Sequence, residues 1–240
     1  MTAPTGGDTR DSAHAIAAGG RAAVLVTIVA AIATALVILG VVVALFFNPV
    51  WVGFEQGRTQ VDLWTGWDAA TIRSVTDSVV IEVFLGPGTF AQQAHGALVF
   101  SPAEAGHMAD VRRVVLAFGV VVLVAVVALL AAWWGRSRRA AFWRGVLAGS
   151  VGLAVAVFGA GIFAIFLFDA AFEIFHRIFF APGTYSFDPA TSRLIQLFPE
   201  AFWSETTIAL GIVAIAASAV VAVIAGRRLH IARASAGAAA

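Results

Sequence analysis

Val114 to Trp134 reads VVLAFGVVVLVAVVALLAAWW, and Gly135 to Arg144 continues GRSRRAAFWR. The first stretch carries no charge. At a rise of ~1.5 Å per residue it matches the ~30 Å hydrocarbon core of a bilayer. Backbone amides in lipid must bond within their own segment, so the stretch is a helix and not a strand. The second stretch holds Arg136, Arg138, Arg139 and Arg144 and no acid. That bias keeps a short connection on the cytoplasmic side.

Three further uncharged runs flank this pair: residues 22–47, 145–168 and 206–225. Each reaches the ~20 residues a spanning helix needs. The first is too long for a signal-peptide core of about 7–15 residues. With four spans and the basic link inside, residues 1–21 form a disordered cytoplasmic tail. Residues 48–113 form a first extracytoplasmic loop, 169–205 a second, and 226–240 a cytoplasmic tail containing Arg227, Arg228 and Arg233. Arg112 and Arg113 fit less well, since they flank the outer end of the second span. The expected fold is an all-α membrane protein, a four-helix transmembrane bundle with a small cap built from the two outer loops.

Composition agrees. Apolar residues make up 60% and charged residues 12%, against about 25% charged in soluble domains. A net charge of +1 gives no reason to expect nucleic acid as a partner. No cysteine is present, so a nucleophile or metal ligand has to come from His, Asp, Glu, Ser, Thr or Tyr.

The outer loops carry structure signals. Ile72, Val75, Val79 and Val83 recur at helical spacing, predicting an amphipathic helix over Asp68 to Leu85 that Gly86-Pro87-Gly88 ends. Ser101-Pro102-Ala103-Glu104 is a helix start with a capping box. Pro182-Gly183 predicts a turn, Asp188-Pro189 a short helix start, and Pro199 its end. Trp51, Trp64, Trp67, Phe172, Phe180, Phe187, Phe202 and Trp203 crowd the outer boundary, where aromatic rings anchor at the headgroup level.

Chemistry concentrates in two segments, Glu104 to Asp110 and Asp169 to His176. Glu104, His107 and Asp110 are spaced three apart; Asp169, Glu173 and His176 follow at i, i+4 and i+7, so each set shares a helix face. Antiparallel neighbours joined by a short link bring both histidines to one depth. Ionisable groups at a membrane boundary need pairing or water, and imidazole exchanges a proton near neutrality. A carboxylate one turn away would fix each ring's tautomer. His107 and His176 are therefore the candidate catalytic residues, supported by Glu104, Asp110, Asp169, Glu173 and Tyr185. Simpler readings stand beside this one. Glu104 is accounted for by capping, Asp110 by pairing with Arg112 or Arg113, and Asp169 and Glu173 by solvation at a helix end. Neither H-E-x-x-H, G-x-S-x-G nor a phosphate loop occurs.

At these residues the sequence resembles a known family. Glu104 to Val111 (EAGHMADV), Phe175 to Phe180 (FHRIFF) and Phe187 to Trp203 (FDPATSRLIQLFPEAFW) resemble the bacterial membrane family containing the lipoprotein intramolecular transacylase. Tyr185, where Trp is common, and Ser192, where Asp is common, depart from that pattern. The resemblance implies an enzyme of the cell membrane that moves the sn-2 acyl chain of a diacylglyceryl lipoprotein to its N-terminal amine. It implies membrane lipids and lipoprotein as partners, no cofactor, and roles for His107 and His176, while the residue spacing by itself supports no metal site. The alternatives are a membrane hydrolase using the same histidines and a non-enzymatic envelope interaction protein.

Overall fold

The computed structural model describes residues 7–135 and 139–237. In chain order it contains α1 (Gly7–Phe46), α2 (Pro49–Arg58), α3 (Val61–Thr65), α4 (Ala69–Phe84), β1 (Gln93–Ala94), β2 (Ala97–Leu98), α5 (Pro102–Trp134), α6 (Arg139–Phe166), α7 (Phe168–Phe179), α8 (Arg193–Leu197) and α9 (Glu200–Gly237). Four helices are long and apolar enough to cross a membrane, over Gly19–Phe46, Pro102–Trp134, Arg139–Phe166 and Glu200–Ser235. Among the described residues the fold is all-α apart from one antiparallel hairpin of two-residue strands.

Helix ends differ from the apolar runs in several places. Composition predicts an irregular tail to residue 21, yet the backbone is helical from Gly7. Ala has the highest helix propensity, and a helix already nucleated by the following run extends at the gain of one bond per residue. Residues 1–6 of that tail lie outside the described residues, as do 136–138, with Arg136 and Arg138 of the basic link, and 238–240 of the C-terminal tail. The third helix ends at Phe166, and α7 restarts after Leu167, whose φ of −138° and ψ of 49° break the helical path.

Two compact units divide the chain. The first takes its described residues from Met1–Ile38, Val122–Ala154 and Ala216–Ala240. Here α6 lies against α1 through Gly145 and Gly149. A Cβ on Gly145 would stand 2.7 Å from Ala30 Cβ, and one on Gly149 would collide with the Ala31 carbonyl oxygen. The Thr27 hydroxyl lies 3.1 Å from the Ala141 carbonyl across the same contact. Small residues four apart permit such backbone approach between helices in lipid. Around them Ala30, Phe142, Val146 and Ala225 are buried together. Gly149→Ala is therefore expected to cost ~1–3 kcal/mol by overpacking, read as a lower Tm in detergent. A wild-type Tm would refute the close contact.

The second unit comprises Leu39–Val121 and Val155–Ile215. In it the predicted amphipathic helix is α4. Asp68 caps it by accepting from the amides of Ala70 and Thr71, and Ile72, Val75, Val79 and Val83 are buried against Phe90, Val99, Phe100, Met108 and Leu197. Glu82, at the end of α4, takes the Thr89 amide at 2.6 Å and the Phe90 amide at 2.8 Å. Those bonds hold buried Phe90 at a φ of +48°. Arg112 donates to the carbonyls of Glu82 and Gly86, placing a cation at the negative end of α4. Arg113 pairs with Asp110. The two arginines that sat awkwardly in the charge pattern are thus engaged locally.

The second connection is built as expected at Pro182-Gly183, where Gly183 has φ +82° and the Thr184 amide reaches the Ala181 carbonyl. It differs at Asp188-Pro189. The Asp188 carboxylate accepts from the Ala190 amide, and its carbonyl takes the amides of Thr191 and Ser192. That closes a turn, and α8 begins only after Ser192, which caps the Ile195 amide. The hairpin β1–β2 was not foreseen; its turn, His95-Gly96, has φ of +51° and +79°, the twist a two-residue hairpin favours.

Glu55 of α2 is 1% exposed, and its Oε1 has no hydrogen-bond partner among the described residues. Arg58 lies 3.6 Å from its other oxygen and pairs with Glu205 of α9. Burial, then the neighbouring Glu205 carboxylate, push the Glu55 carboxyl from 4.5 up to about 7. The folded protein therefore keeps a proton that the unfolded chain releases, and stability falls as pH rises through that window. Glu55→Gln is expected to raise Tm more at about pH 8 than at about pH 5. An equal shift at both pH values would contradict the assignment.

Candidate active site

Two helix segments of the second unit, the first turns of α5 and the whole of α7, carry the histidines. On α7, Asp169, Glu173, His176 and Arg177 occupy one arc, while Ile174, Phe175, Ile178 and Phe179 on the other remain exposed. A helix of this kind lies along an apolar surface and turns its polar arc elsewhere. The α5 segment is fixed by its capping box. The Ser101 amide donates to Glu104 Oε2 at 2.7 Å, and the Glu104 amide donates to the Ser101 hydroxyl at 3.3 Å.

His107 and His176 meet. Both are 7% exposed, their ring centroids are 6.0 Å apart, and their planes differ by 24°. Phe180 lies 4.8 Å from the His107 ring and 5.4 Å from that of His176. Phe187 closes on His107 at 5.9 Å, and Phe172 packs on His176 at 4.1 Å. The Tyr185 ring is 5.0 Å from His176.

His176 Nδ1 lies 2.8 Å from the Phe172 carbonyl oxygen. A carbonyl can only accept, so Nδ1 carries a proton, and in the neutral ring Nε2 is the nitrogen with the lone pair. His107 Nδ1 is buried and has no hydrogen-bond partner among the described residues. A buried, unanswered imidazole nitrogen costs free energy unless something arrives to meet it.

The carboxylates do not serve the histidines as the spacing predicts. Glu104 Oε1 accepts from the Ser192 hydroxyl at 2.6 Å and the Leu194 amide at 2.9 Å. With Ser101 on its other oxygen, Glu104 ties α5 to the start of α8 and does not fix His107. Asp110 is engaged by Arg113. Asp169 sits exposed in the first turn of α7. Glu173 accepts from Arg177 Nε at 2.7 Å and the Tyr185 hydroxyl at 3.2 Å; the Arg177 hydrogen bond above all holds its carboxyl below the usual range. His176 takes its tautomer from a backbone carbonyl instead. Among the described residues, no three of His, Cys, Asp or Glu are grouped so as to hold a metal ion.

Sequence reasoning assigned Phe180, Phe187 and Phe202 to a boundary belt. Phe180 and Phe202 are buried, 7% and 3% exposed, and Phe180 and Phe187 wall His107. The i−4 relation of Phe172 to His176 was visible in the sequence; that its carbonyl would take the ring proton was not. Ser192 was noted as a departure, without its link to Glu104.

The chain matches the sequence model of the family described as lipoprotein intramolecular transacylase Lit over residues 24–203. A relative named as an uncharacterized protein of Aquifex aeolicus (strain VF5) is 27% identical over 123 residues, which is 51% of this chain and 54% of that protein. The chain thus aligns with about half the length of that relative. Among solved structures, the lipoprotein intramolecular transacylase Lit of Bacillus cereus superposes with a TM-score of 0.74 at 17% identity, covering 89% of this chain and 99% of that one. A form of it with one histidine replaced by arginine gives 0.74 at 15%, covering 93% and 99%. A form with alanine there gives 0.72 at 15%, covering 91% and 98%. These likenesses establish a shared fold.

Proposed function

The chain belongs to the lipoprotein intramolecular transacylase family, and from that premise we propose that it moves the sn-2 acyl chain of a diacylglyceryl lipoprotein to the α-amine of the same N-terminal cysteine. The observation that carries the reading is the facing pair His107 and His176, one with a free Nε2 and the other with an unpartnered, buried Nδ1.

In the proposed reaction His176 Nε2 takes a proton from the substrate α-ammonium. The freed amine attacks the sn-2 ester carbonyl, forming the N–C bond. The C–O bond to glycerol then breaks, and a ring N–H of His107 donates to the departing glyceryl oxygen. The second amine proton passes to His107 as the amide forms and replaces the one it gave, while His176 sheds the first, so ammonium and ester give amide, alcohol and one proton. Nothing in this exchange calls for a redox or group-carrying cofactor. Because nucleophile and ester share one molecule, positioning supplies much of the rate; oriented intramolecular reactions reach effective molarities of about 10⁵–10⁸ M. Proton transfer adds ~10²–10⁴-fold. The phenyl rings of Phe172, Phe180 and Phe187 exclude water, which favours aminolysis over hydrolysis.

The proposed setting is the bacterial cell membrane, multi-pass, with both termini in the cytoplasm and the histidines on the outer-leaflet side. The basic link and tail support that orientation. Expression in a host making diacyl lipoproteins, followed by mass spectrometry of one lipoprotein N-terminus, tests the activity. An N-acylated cysteine bearing a monoacylglyceryl group is the expected product. A shed fatty acid with an unmodified amine would assign hydrolysis instead, and an unchanged lipoprotein would reject both.

A further inference from the structure

Glu173 is left without the task its spacing suggested. It stands one turn before His176 on the polar arc of α7, yet His176 is oriented by the Phe172 carbonyl. Its recorded hydrogen bonds, from Arg177 Nε and the Tyr185 hydroxyl, both end on Oε1. Oε2 has no protein hydrogen bond among the described residues, and the side chain is 44% exposed. In its cationic form the His176 ring adds to the pull that holds the Glu173 carboxyl below its usual range, though the Arg177 hydrogen bond does most. The two side chains are thus close enough to feel each other.

The other acids near the pair are occupied or distant. Glu104 is surrounded by Ser101, Ser192 and Leu194, and Asp110 faces Arg113. Asp169 is seven residues from His176, ~10 Å along a helix. Acyl transfer as proposed above begins from an N-terminal ammonium, pKa ≈ 8, that must arrive beside a base. We propose that Glu173 is the docking carboxylate for the substrate α-ammonium, receiving it on Oε2 next to His176 Nε2; this rests on the acyl-transfer reading. A bare carboxylate would hold the ammonium proton too firmly for a histidine to remove. Arg177 and Tyr185 drain charge from Oε1, so the site attracts the cation without fixing its proton.

The test uses the full-length protein in detergent. The probe is a synthetic peptide whose N-terminal cysteine bears a diacylglyceryl thioether, compared with the same peptide N-acetylated. The wild type is expected to bind the free amine about fivefold more tightly, the upper range for a partly exposed ion pair. Glu173→Gln removes that preference and leaves affinity for the acetylated peptide unchanged. The double variant Arg177→Gln/Tyr185→Phe keeps the preference, since it loses only the clamp. Equal binding of both peptides by the wild type overturns the proposal. So does a preference that survives Glu173→Gln, or an equal loss of both affinities. A wild type that prefers the free amine but transfers no acyl chain would sink the reaction and leave the docking role standing.

Discussion

His176→Ala and His107→Ala each lower conversion of diacyl lipoprotein to the lyso form by about 10²–10⁴-fold, the range for losing a positioned proton carrier, while membrane abundance holds. The two rings are distinguishable. His176 has a fixed tautomer because its Nδ1–H is committed to the Phe172 carbonyl, so its substitution removes the group that activates the amine. Raising pH toward the amine pKa, about 8, then restores part of the rate in His176→Ala. His107→Ala removes the donor to the leaving oxygen, and higher pH gives no comparable rescue. Mass spectrometry of the lipoprotein N-terminus, across a pH series in purified protein, reads both. Full lyso-form production by either variant would mean that the facing imidazoles do not perform the chemistry.

What the sequence made legible follows from which forces act locally. The four long helices are visible because ~20 apolar residues have one low-energy conformation in lipid. The amphipathic α4, the capping box of Ser101 and Glu104, and the Pro182-Gly183 turn depend on neighbours within a few residues. All are present. That the histidines share a layer was readable from two polar stripes at the ends of consecutive helices. Their partners were not, because a carboxylate three residues away competes with distant donors that spacing does not reveal. Glu104 is claimed by Ser192 and Leu194, which lie 88 and 90 residues further along the chain. Glu173 is claimed by Arg177 and by Tyr185 from beyond the turn. Asp188 had a helix-start signature and closed a turn instead, since the amides of Ala190, Thr191 and Ser192 fold back onto its oxygens. The belt reading of the aromatics failed at Phe180 and Phe202 for a related reason: an aromatic ring suits both a core and an interface, and only packing decides.

Glu104→Ala is expected to cost ~3–4 kcal/mol, near the top of what one substitution removes. The carboxylate is 4% exposed and meets the Ser101 amide, the Ser192 hydroxyl and the Leu194 amide. Truncation leaves the buried Ser192 hydroxyl and the part-buried amides of Ser101 and Leu194 without that acceptor, at up to ~1–3 kcal/mol each and not additive. It also unties the N-terminal end of α5, on which His107 follows, from the start of α8. Glu104→Gln should fall between wild type and Ala, because an amide has one oxygen to offer and turns two protons toward donors. Tm in detergent and lyso-form yield should therefore fall together, with yield following the folded fraction. A residue that oriented His107 directly would behave in the opposite way. Glu104→Gln would then keep its Tm and shift the pH–rate profile. That outcome would return Glu104 to the imidazole and cancel its role as the tie between α5 and α8.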